Sequence, residues 1–177
     1  CVNILSKIRD VTSGVPSADL VDAFSKLREQ ARACLQLPNH TACGIELLQR
    51  TDIKHLTASQ KSAIYLTKAE LLLASPEGDA EGAAEVSRDV SHALSTSIYF
   101  HSAQPKAWLL WGHWCDSKAR AEAGGGEEAT ADAEPSSTWS YRALACYMQA
   151  ALHKKEQAAS MLPRVLELLR DAPNPEA

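Results

Sequence analysis

Apolar residues recur along this chain at intervals of three and four, the period of a helix packed along one face, and no stretch alternates as a half-buried strand would. Leu5, Ile8 and Val11 predict a short helix over about residues 1–11, broken by the run from Thr12 to Pro16. Leu20, Phe24, Leu27, Ala31 and Cys34 form one stripe, predicting a helix from Ser17 to about 36, with Ser17 as N-cap and Asp19 and Asp22 near its positive end. Asp22 and Lys26 pair one turn apart on its outer side. A shorter helix follows from Thr41 to about Arg50. Thr57 and Gln60 form a capping box, opening a helix to about Ala74 that carries Ile64, Leu66, Ala69, Leu71, Leu72 and Leu73. Ala83, Val86, Val90, Ala93 and Leu94 face inwards from the next, over about 80–97. Pro105 suits the first turn of another, where its missing N–H is harmless. Trp139 to about Lys154 is helical, and the last helix, about 156–170, has Met161, Leu162, Val165, Leu166 and Leu169 as its stripe. Pro163 inside that helix predicts a kink or a restart, and the tail from Asp171 is expected to fray.

The densest signal is Trp108, Trp111 and Trp114, spaced i, i+3 and i+6, with Gly112 among them. Positions three apart share a helix face, so Trp108 and Trp111 are predicted to stack towards one partner, with Trp114 drifting to the flank. A helical glycine costs about 1 kcal/mol relative to alanine, so Gly112 marks a place where another backbone comes close. Large residue, two spacers, large residue, glycine is the opening of a tetratricopeptide-type helix pair. Ala143, Tyr147 and Ala150 supply its second half, with Tyr in place of Phe. A fainter copy lies upstream in Tyr65, Lys68, Ala69 and Leu72, then Val86, Val90 and Ala93. Tyr65 to Trp108 is 43 residues, where the regular unit is about 34, so the units are degenerate. These patterns predict an all-α fold, an α-solenoid of tetratricopeptide-like antiparallel helix pairs. Residues 1–177 are expected to form a single helical-repeat segment: N-terminal helices over 1–56, a first pair over 57–104, a second over 105–154 and a terminal helix over 155–170.

Residues 121–137 interrupt the second pair with Glu122, Glu127, Glu128, Asp132 and Glu134 and no base, and are expected to be a mobile acidic loop. Their five negative charges exceed the net charge of −4, so the remainder, at +1, is nearly neutral and offers no basic excess for nucleic acid. No apolar run reaches the ~20 residues of a membrane helix. The chain begins at Cys1 without a leader, and is read as a piece of a longer protein. Five widely spaced cysteines make reduced thiols the expectation. The Asn39-His40-Thr41 sequon is read as a polar loop in which Thr41 caps the following helix. No nucleophile elbow, phosphate loop or kinase catalytic signature occurs. His113 and Cys115, two apart on a helix, point to different sides and make a poor metal pair. The expectation is no catalytic residue, cofactor or metal: Trp108, Trp111, Gly112, Ala143, Tyr147 and Ala150 as structural packing, and Trp114 with His113 at a protein interface.

Six blocks in register carry a resemblance: residues 1–9, 22–30 with 34–37, 51–57, 106–112, 145–150 and 164–169. Together they resemble the FAT region of the TRRAP-like pseudokinases within the phosphatidylinositol-3-kinase-related kinase family, across nearly the whole chain except the acidic loop. The resemblance implies a non-catalytic scaffold segment of a nuclear transcription coactivator. Its partners would be neighbouring helical repeats of the same chain, subunits of histone acetyltransferase complexes and transcriptional activators, with no direct nucleic acid and no membrane. Two other readings stay open: a FAT segment of an active kinase of the wider family, and a stand-alone tetratricopeptide-type peptide-binding adaptor.

Overall fold

A computed structural model describes residues 17–37, 40–75, 80–124 and 136–171 of the protein. The helices expected over 1–11 and the tail beyond 171 lie outside the described residues, as does the core of the acidic segment, 125–135. Among the described residues the fold is all-α: α1 (Ser17–Ala33), α2 (Thr41–Gln49), α3 (Ala58–Ala74), α4 (Ala80–Phe100), α5 (Pro105–Gly124), α6 (Ser136–His153) and α7 (Lys155–Asp171). A 3-10 turn, Cys34–Gln36, extends α1. The chain divides into two compact units, Cys1–Ser102 and Ala103–Ala177.

In the first unit, α1, α2 and α3 pack on one another and α3 packs on α4. The predicted stripe of α1 supplies Phe24, Leu27 and Ala31 to a core closed by Leu48, Ile64 and Leu71. Gly44 of α2 sits where a Cβ would lie 2.9 Å from a Leu71 methyl and 3.0 Å from Cys34 Cβ, so the two helices meet at its bare backbone. The capping box forms: Thr57 Oγ1 accepts from the Gln60 N–H, and the Gln60 side chain accepts from the Thr57 N–H. The α3–α4 pair is antiparallel, because Ser62 near the start of α3 meets Ser97 near the end of α4. Both serines are fully buried: Ser97 Oγ donates to the Ser62 carbonyl at 2.9 Å and lies 3.0 Å from Ser62 Oγ. Hydroxyls this small satisfy each other and let the helices approach closely. Val90, Ala93 and Leu94 complete that seam.

In the second unit α6 packs between α5 and α7. Its registry is also antiparallel, with Trp114 against Trp139 and Gly112 against Tyr147.

The structure corrects four expectations. Thr41 does not cap α2: it is the first helical residue and buried, and the cap position, His40, makes no side-chain bond. The acidic loop is narrower than 121–137, because α5 continues to Gly124 and α6 begins at Ser136; Ala121, Glu122 and Ala123 are good helix formers. The last helix does not restart, and α7 runs through Pro163. Pro163 and Ala159 are both exposed, so water reaches the carbonyl that loses its N–H partner. Finally, α7 turns a different face inwards. Met161 and Leu168 are buried, whereas Leu162, Leu166 and Leu169 are exposed, as is Leu73 of α3. A helix with apolar residues on two faces leaves the choice to its neighbours.

Candidate functional site

The α5 residues named from sequence all lie on or beside the α5–α6 seam, in an order of burial different from the one expected. Trp108 and Trp111 stack with ring centroids 6.2 Å apart and planes 15° apart, and both are half-buried. Trp114, expected at a partner-facing surface, is the buried one, at 7% exposure. Its ring meets the Trp139 ring edge-on at 5.4 Å, and Arg142 lies over the outer indole at 4.9 Å. The i+6 position that seemed a flank is the one that α6 covers.

Gly112 is buried and faces Tyr147. A Cβ there would stand 2.7 and 2.8 Å from two Tyr147 ring carbons. No real Cβ survives so close to a rigid ring, so the glycine is the cavity into which the tyrosine fits. Ala143 and Ala150 flank Tyr147 on α6, both with no exposed surface, and keep the helices close. The tyrosine ring is 1% exposed, yet its hydroxyl reaches the unit's edge, 3.1 Å from Nδ1 of the exposed His113. Burial, and then the Asp116 charge, push the Tyr147 phenol up to about 12. His113 is thus the solvent end of a packing contact.

Cys115 and Cys146 face one another in the same seam, both buried free thiols. The hydrogen bond to Cys115 and burial push the Cys146 thiol far up, leaving it un-ionised and unreactive at neutral pH. His113 and Cys115 diverge, one to solvent and one to the core. Among the described residues no group of three His, Cys, Asp or Glu gathers as a metal site, and no helix is long and apolar enough to cross a membrane.

Sequence reasoning missed Asp116, which is buried beneath α7. Arg164 of α7 holds it with both arms of its guanidinium, Nε to Oδ2 at 3.0 Å and Nη2 to Oδ1 at 2.5 Å. Arg120, one turn along α5, donates to Oδ2 at 3.0 Å. Asp116 first and Glu167 next hold the Arg164 guanidinium well above its usual range. The Asp116–Arg120 spacing is readable from sequence, but nothing local pairs Asp116 with a residue 48 positions away.

Some of what the seams leave outside is apolar. Tyr141, Met148 and Leu152 are exposed on α6, as are Leu162, Leu166 and Leu169 on α7; Leu152 is 69% exposed. On α6 these run i, i+7 and i+11, on α7 i, i+4 and i+7, each spacing following one face of its helix.

These features define an all-α helical-repeat protein whose distinctive residues serve packing. The FAT domain family matches residues 14–167, and the chain belongs to it. Within that family it is of the TRRAP-like kind. It is 30% identical over 178 residues to "Probable transcription-associated protein 1" of Dictyostelium discoideum, covering 96% of this chain and 3% of the relative. It is 28% identical over 170 residues to "SAGA complex/NuA4 acetyltransferase complex subunit Tra1" of Schizosaccharomyces pombe, covering 96% and 4%. It is 27% identical over 177 residues to "Transformation/transcription domain-associated protein" of Mus musculus, covering 95% and 6%. The chain therefore spans only a few hundredths of the length of these relatives. No solved structure matches it.

Proposed function

We propose that this chain is a non-catalytic scaffold segment of a nuclear transcription coactivator, one stretch of helical repeat within a protein that assembles with histone acetyltransferase subunits. The observation that carries this reading is the match along nearly the whole chain to relatives named as subunits of SAGA and NuA4 acetyltransferase complexes. The geometry supports it in kind. Trp114, Gly112, Tyr147 and Asp116 are all used in holding helices together. The exposed stripes of α6 and α7 suit docking on neighbouring helices of the parent protein. The test is purification of the tagged full-length protein from nuclear extract. Histone acetyltransferase activity should co-purify, and protein kinase activity should be absent. Kinase activity that vanishes when a metal-binding aspartate downstream is changed would replace this reading with that of an active kinase. Recovery of chaperones without acetyltransferase activity would favour a peptide-binding adaptor.

A further inference from the structure

We propose that α7 is a releasable strap, fastened to α5 by a clasp whose two halves each keep a partner when they part. The buried Asp116 carboxylate has two arginines, Arg164 across the helix gap and Arg120 on its own helix. Arg164 in turn has two carboxylates, Asp116 across the gap and Glu167 one turn along α7, at 2.7 Å. Opening the gap breaks one pair, Asp116–Arg164, and leaves Asp116–Arg120 and Arg164–Glu167 intact. A buried ion pair is ordinarily hard to separate because each charge is stranded without compensation; here neither is. Arg164 and Arg120 both donate to Oδ2, so the intrahelical arginine competes for the atom that holds the strap.

The rest of α7 fits easy release. Only Met161 and Leu168 are buried among its large apolar residues, while Leu162, Leu166 and Leu169 face outwards. Pro163, beside the clasp arginine, removes one backbone bond from the helix. The α5–α6 pair, in contrast, is sealed by Tyr147, Cys115, Ala143 and Ala150, all buried. The inference concerns motion within the second unit and stands independently of the scaffold reading.

Amide hydrogen exchange on the 177-residue chain tests it. Residues 155–171 should exchange through an opening of their own, ahead of the slowest amides of α5 and α6. Arg164→Gln should speed exchange in α7 by roughly fivefold or more while α5 and α6 stay within about twofold, since one lost ionic tie shifts a local opening without global unfolding. Arg164→Lys, which keeps the charge and loses the two-armed grip, should speed it less. Arg120→Gln should leave exchange in α7 equal or slower, because it removes the competitor and the fallback partner together. If Arg120→Gln and Arg164→Gln speed α7 alike, the cluster is a plain structural network and the clasp is wrong. No change with Arg164→Gln, or loss of α5 and α6 along with α7, would equally overturn it. So would failure of Arg164→Gln to fold, because Asp116 would then not be satisfied by Arg120.

Discussion

A single missing methyl group decides how close α5 and α6 come. Gly112→Ala puts a Cβ inside the contact distance of the Tyr147 ring, which is buried at 1% exposure; a cost of about 1–3 kcal/mol should appear in urea unfolding. Trp114 and Trp111 separate burial from proximity. Trp114→Ala should cost about 3–5 kcal/mol and Trp111→Ala clearly less, since only the first is fully enclosed; equal losses would show that the stacked pair is as buried as its neighbour. Tyr147 also gives the unit an alkaline limit. Its phenol is neutral in the fold and its folded pKa is raised, so its contribution is fully present below its unfolded value of about 10 and is lost as the pH rises through the folded value. With the folded value pushed up to about 12, the loss by that pH is about 2–3 kcal/mol. Tyr147→Phe should flatten that slope in melts taken from pH 9 to pH 12, sampled about one unit apart.

At the scale of the helix, the sequence says where elements are more reliably than which way they face. The Thr57–Gln60 box and the Phe24, Leu27 and Ala31 part of the α1 stripe are local facts, written in residues three to seven apart, and both appear as read. Gly112 signals a close approach, and the repeat pattern pairs its helix with that of Tyr147, but the glycine alone suggests an approaching backbone where the structure places the Tyr147 ring. The errors about which face a helix buries share a cause: each depended on a neighbour the sequence does not place. Trp114 is covered because α6 crosses at its turn, and α7 buries Leu168 in place of Leu166 because its partners lie on that side alone. Asp116 reads as an ordinary surface acid until α7 is laid over it. The corrected phase of α7 has its own test. Leu168→Ala should cost about 2–5 kcal/mol in chemical unfolding, whereas Leu166→Ala should change stability by no more than about 0.5 kcal/mol.

For the whole molecule, the division between buried seams and exposed apolar faces bears on assembly. In the second unit Trp114, Cys115, Ala143, Cys146, Tyr147 and Ala150 are buried, and the apolar stripes of α6 and α7 remain outside. Stripes of that kind are a liability in a free domain and an asset within a longer helical array. The central claim is that this segment of the FAT family works by presenting packing faces, and charging those faces tests it most directly. Leu152→Glu with Leu166→Glu, both at exposed positions, should leave the helicity and melting of this chain unchanged within error. Introduced into the full-length protein, the same pair should sharply reduce co-purifying acetyltransferase activity. Undiminished assembly with the doubly charged face would contradict the account.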